Sequence, residues 1–115
     1  MVVQIREENL FIKSKTNEKK ETLLAIINGV MDDQQFGKIH KLPSGCCREL
    51  YYRPSSDGGV CLIEHSPGLL LNLGTDYQRK PIHADIRLTA RGMCYSEVER
   101  LYAAIKKLNL EWFQL

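Results

Sequence analysis

The chain has 115 residues, 43% of them apolar and 26% charged, and its 16 Lys and Arg against 14 Asp and Glu leave a formal charge of +2. That balance excludes a disordered polyelectrolyte and argues against a dedicated nucleic-acid binder, whose affinity comes largely from neutralising phosphates. The length suits one hydrophobic core, so residues 1–115 are read as a single domain. No apolar run approaches the ~20 residues that span a bilayer. The start, Met1-Val2-Val3-Gln4-Ile5-Arg6, lacks the basic and long apolar segments of a secretory signal. A cytoplasmic location is therefore expected, with Cys46, Cys47, Cys61 and Cys94 as reduced thiols.

In chain order, Val3 and Ile5 alternate with Gln4 and Arg6 as a first strand. Glu7-Glu8-Asn9 is expected to turn, and Leu10-Phe11-Ile12 to form a second strand. Residues 18–32 carry Leu23, Ile26, Ile27, Val30 and Met31 at helical spacing, with Thr16 or Asn17 as the cap. Phe36 to His40 leads into a turn cluster, Pro43-Ser44-Gly45. Residues 47–53, 60–65 and 69–73 then predict a meander of three strands. Asp57-Gly58-Gly59 and Ser66-Pro67-Gly68 supply the two turns.

Residues 82–91 show the clearest alternation. Ile82, Ala84, Ile86, Leu88 and Ala90 predict one buried face, and His83, Asp85, Arg87, Thr89 and Arg91 a second face toward water or a ligand. A capping box of Ser96 and Glu99 opens a second helix with Val98, Leu101, Tyr102, Ile105 and Leu108 inside, closed by Asn109. Residues 110–115 predict a last short strand.

The order implies an α+β fold: a mainly antiparallel sheet with two helices on one face. Strand–helix–strand near both ends resembles a ferredoxin-like, split βαβ plan with extra strands. The resemblance is one of pattern and implies no activity.

With both helices on one side, the opposite sheet face is free for contact. Tyr51, Arg53, His83, Asp85, Arg87 and Arg91 are the candidate ligand-binding residues on it, because guanidinium groups grip phosphate or carboxylate while tyrosines stack on rings. Either Glu49, Tyr51 and Arg53 or their strand neighbours belong to that face. Trp112 and Phe113, on opposite faces of the final strand, are candidate partner contacts.

His40, Cys46, Cys47, Cys61, His65, His83 and Cys94 lack the paired spacing of a zinc site. No metal or other cofactor is expected. A nucleophilic site would draw on His83 with Asp85, on His65 with the adjoining Glu64, or on Cys94 before the second helix, but no strained elbow marks a nucleophile. Gly58-Gly59 lacks the lysine-serine sequel of a phosphate loop.

The expected function is thus a small non-catalytic binding protein, an inhibitor or regulator working through protein contacts in the manner of immunity proteins, antitoxins or phage inhibitors. The alternative is a protein that binds a nucleotide or other small anion on the Arg/Tyr sheet face. Expected partners are a protein, a small anionic ligand or a second copy of the chain, with neither membrane nor nucleic acid.

Overall fold

Leu10 and Ile12 leave the first strand on one side and Phe11 on the other, and this alternation sorts the molecule into two unequal layers. The computed structural model describes residues 7–14, 20–45, 48–66 and 71–114. Its elements are β1 (Glu7–Ser14), α1 (Lys20–Asp33), β2 (His40–Leu42), β3 (Glu49–Pro54), β4 (Val60–His65), β5 (Leu71–Thr75), β6 (Pro81–Ala84), β7 (Ile86–Arg91), α2 (Tyr95–Lys106) and β8 (Leu110–Gln114).

Six strands form one sheet in the order β2-β3-β4-β7-β1-β8, antiparallel at every junction. Because β1 and β4 both run antiparallel to β7, they are parallel to each other. α1 and the β2–β3 hairpin carry the chain between them. β5 and β6 make a separate hairpin inserted before β7.

Leu23, Ile27 and Met31 from α1 meet Val98, Leu101, Tyr102 and Ile105 from α2 over Leu10, Ile12, Cys61, Ile63, Ile86, Leu88 and Ala90. Both helices therefore cover the same face, and their buried stripes follow those expected from spacing except at Ile26, which is outside the core, and Leu108, which lies beyond the end of α2. Tyr102 ties α2 to the sheet: its hydroxyl takes the Ala90 amide at 3.1 Å and donates to the Glu8 carbonyl at 2.7 Å, bridging the register pair Glu8–Ala90. Burial pushes that phenol's pKa well upward.

Several expectations need correction. Glu7-Glu8-Asn9 is not a turn but the opening of β1, held on β7 by Glu7–Arg91, Glu8–Ala90 and Asn9–Thr89 pairing. Polar residues there follow from exposure of one strand end, not from a reversal of the chain. β2 was not foreseen, since three residues show no period. The strand expected over 82–91 is two strands with a break at Asp85. The Asp85 amide donates to the Ile12 carbonyl at 2.9 Å, and its carboxylate accepts the Ser14 amide at 3.0 Å. β6 then departs from the main sheet, so Ile82 and Ala84 pack with Phe11 and Phe113 away from the helices, not in line with Ile86 and Leu88.

The Ser96–Glu99 capping box is also replaced. α2 begins two residues earlier, at Tyr95, with Cys94 in place of Ser96 as N-cap and no capping hydrogen bond from the Cys94 side chain. The acceptor comes from elsewhere in the chain: Asp57, in the β3–β4 turn, takes the Cys94 amide at 2.6 Å. The strand expected at Val3–Arg6, the cap at Thr16 or Asn17, and Cys46 and Cys47 lie outside the described residues.

Candidate functional site: a groove beside the β8 edge

Register decides which side chains share the sheet face opposite the helices. Across the middle of the sheet run Phe113, Phe11, Arg87, Glu64, Leu50 and Leu42, each paired with the next. A second row holds Asn9, Thr89, Leu62, Tyr52 and His40. His40 and Tyr52 stack with ring centroids 4.7 Å apart, and Thr89 donates to Asn9 Oδ1 at 2.8 Å.

Glu64 is almost fully buried on this face. Its carboxylate lies between Arg48 and Arg87, each 3.0 Å from one oxygen. Arg87 Nε is buried without an acceptor among the described residues. Arg91 pairs with Glu7 at 3.3 Å farther along.

The candidate ligand-binding residues divide between the two faces. Arg87 and Arg91 share the open face. Arg53 and Tyr51 do not: they fall in register with Cys61 and Ile63 and point under the helices, so the face takes their neighbours Tyr52 and Leu50. Arg53 is only 5% exposed and donates to the carbonyls of Gly37, Asn28 and Phe36 and to Asp32 Oδ1. It closes the end of α1 and is not available to a ligand.

Tyr51 donates to Glu49 Oε2 at 2.5 Å; the carboxylate pushes the phenol up to about 12, and the same hydrogen bond lowers Glu49. Asp85 is buried in its backbone role. His83 is exposed on β6, separated by the strand break from Arg87. Glu64 and His65 adjoin in sequence but occupy opposite faces of β4, His65 lying buried with Nδ1 3.5 Å from Glu49.

Cys94 also has a structural setting. A hydrogen bond between the thiol and Asp57 raises the thiol's pKa, and nearby Glu97 adds to the effect, which opposes formation of the thiolate. Burial raises Cys61 to about 12.

His83 instead lines the same groove as the two aromatics of the terminal strand. Between β1 and β8 on one side and the β5–β6 hairpin on the other lies an open groove of about 510 Å³. Phe11, Ile82, Ala84 and Phe113 supply its apolar surface, and Lys13, Asp76, His83 and Glu111 its ionisable groups. Trp112 also borders the groove. It is 47% exposed, with Lys106 Nζ 4.5 Å above its ring. β8 pairs with β1 on one flank only, leaving its outer flank without a strand among the described residues.

The separately read sets, His83 from one and Trp112 with Phe113 from the other, are therefore brought to one place. Phe11, Ile82 and Lys13 complete it. No local pattern marked them, because the β6 departure that assembles the groove depends on tertiary hydrogen bonds at Asp85.

Among the described residues no three His, Cys, Asp or Glu side chains are placed to hold a metal ion, and no helix is long and apolar enough to cross a membrane. Comparison with protein-family models, with curated proteins and with solved structures finds no match to this chain.

Proposed function

We propose that this chain is a small binding protein, an inhibitor or regulator acting in the cytoplasm through protein contacts at the groove beside β8. One observation carries the reading: a half-exposed Trp112 and an apolar groove adjoin a strand edge that has no neighbouring strand among the described residues. Exposed aromatics anchor interfaces because they bury large area at small entropic cost, and an apolar floor with an ionisable rim is the common anatomy of such surfaces. We further read the β8-β1-β7-β4 part of the sheet as a ferredoxin-like plan, enlarged by β2 and β3 at one edge and by the β5–β6 insertion. Immunity proteins and antitoxins offer the analogy of class.

The test is a complex with an identified partner, mapped by amide hydrogen exchange. Slowed exchange at residues 80–84 and 110–114, together with at least tenfold weaker binding for Trp112→Ala in a protein that remains folded, supports the reading. A complex whose footprint avoids both segments contradicts it.

A second reading, a small anion or nucleotide on the open sheet face, is favoured by Arg87 Nε, a buried donor lacking an acceptor among the described residues beside Arg48. Guanidinium donors left over from Glu64 suit phosphate. A thermal-shift screen of nucleotides decides it: a shift lost in Arg87→Met supports this reading, and no shift at millimolar ligand removes it.

A further inference from the structure

The sheet has two edges, and they are built differently. β2 is three residues long, contains Lys41 and runs into Pro43, features that discourage addition of another strand. β8 is five residues long, contains neither Lys nor Pro, and sets Trp112 half-exposed at the edge. Main-chain groups on such an edge are a template for a further strand.

The residues of β8 also discriminate among the ways two copies could meet. In an antiparallel pair related by a two-fold axis through the sheet, residues directly opposite share a face, which restricts the register. Centring the axis on Glu111 sets two carboxylates opposite each other, a repulsive arrangement. Centring it on Phe113 shortens the overlap to residues 112–114. Centring it on Trp112 uses all of Leu110–Gln114. Glu111 then lies opposite Phe113 of the second copy, Leu110 opposite Gln114, and the two indoles side by side. No like charges are opposed within the strand pair.

We propose that this chain forms a two-fold dimer by antiparallel pairing of β8 with β8 of a second copy, centred on Trp112, which joins the two six-stranded sheets into one. The claim concerns the main-chain edge of β8, which shares Trp112 with the groove; protection at residues 80–84 belongs to the groove alone.

Sedimentation equilibrium of the full chain at about 100 μM, with light scattering to fix the mass, tests it. The expected mass is twice 13.2 kDa, and amide exchange at residues 110–114 should slow as concentration rises. Phe113→Glu places a carboxylate opposite Glu111 twice per dimer and is expected to weaken association about tenfold or more. Adding Glu111→Lys to it places opposite charges across both positions and should restore the dimer. Circular dichroism of each variant separates loss of association from loss of fold, and the concentration dependence of exchange in the unaltered chain stands without any variant. A monomer at that concentration overturns the proposal. So does a dimer indifferent to Phe113→Glu in a folded protein. Either result leaves the groove's partner binding to be judged by its own footprint.

Discussion

Arg53 Nε donates to the carbonyl oxygen of Gly37 across 2.8 Å, tying the third strand to the loop that follows the first helix. Its two other nitrogens reach Asn28 O, Phe36 O and Asp32 Oδ1. Helix ends leave carbonyls without partners, and a buried guanidinium satisfies several at once.

Two substitutions separate the parts of this arrangement. Asp32 is 67% exposed at its side chain, so the ion pair is well solvated and Asp32→Asn should cost under about 1 kcal/mol. Arg53→Met leaves buried carbonyls unpaired and should cost about 2–4 kcal/mol. Urea unfolding of both variants checks the ranking; equal losses would place the stabilisation in the ion pair.

The end of α1 makes a second prediction. Gln35 has φ 62°, while its amide donates to Asp32 O at 3.0 Å and that of Phe36 to Met31 O at 3.0 Å. This is the left-handed closure in which glycine is favoured, because a β-carbon costs about 1 kcal/mol there. Gln35→Gly should therefore raise stability by a few tenths to about 1 kcal/mol, the gain being reduced by the greater freedom of glycine in the unfolded chain. Thermal unfolding decides the sign.

Asp57 links stability to pH. Burial opposes its charge, but donors from Cys94 and Ser55 and the amides of Cys94 and Gly59 outweigh it and hold the carboxyl well below its ordinary 3.8. A depressed native pKa means stabilisation present above the unfolded value and lost as pH falls. Asp57→Asn should be less stable than the unaltered chain by about 1 kcal/mol at pH 7. The gap should narrow below pH 4, by about 0.5–1 kcal/mol at pH 3. Denaturant titrations at the two pH values measure it, and a gap constant with pH would refute the assignment.

Relief of the same contact should make Cys94 more reactive. In Asp57→Asn the thiol loses the neighbouring carboxylate that raises its pKa. Alkylation by iodoacetamide at pH 8, followed at the Cys94 peptide by mass spectrometry, should be several-fold faster than in the unaltered chain. Alkylation of Cys61, fully buried, should stay negligible in both.

The approach that brings Asp57 to α2 depends on Gly59. A β-carbon there would lie 2.6 Å from the backbone of Gly92 and Met93. No flexible side chain is available to yield, so Gly59→Ala should cost about 2 kcal/mol or more and disturb the start of α2. A native-like exchange rate for the Cys94 amide in that variant would count against the close contact.

The sequence by itself determined both helices and their buried stripes. Leu23, Ile27 and Met31, like Val98, Leu101, Tyr102 and Ile105, recur at the helical period, which is a property of neighbours in the chain. It also determined the α+β class and the strand following Asp57-Gly58-Gly59, since turn chemistry is equally local. Tertiary structure alone decided the rest. Whether Arg53 or Tyr52 faces outward is a matter of one residue of register, because a strand's two faces exchange at each step. A Ser96–Glu99 pair three residues apart could have capped α2, yet an aspartate thirty-seven positions upstream of Cys94 does so. Alternation through Ile82–Arg91 carried no sign of the break at Asp85, because the groups that make it, Ile12 O and the Ser14 amide, lie some seventy residues away. Contacts of that range leave no period in the chain, and the groove beside β8 is assembled from them.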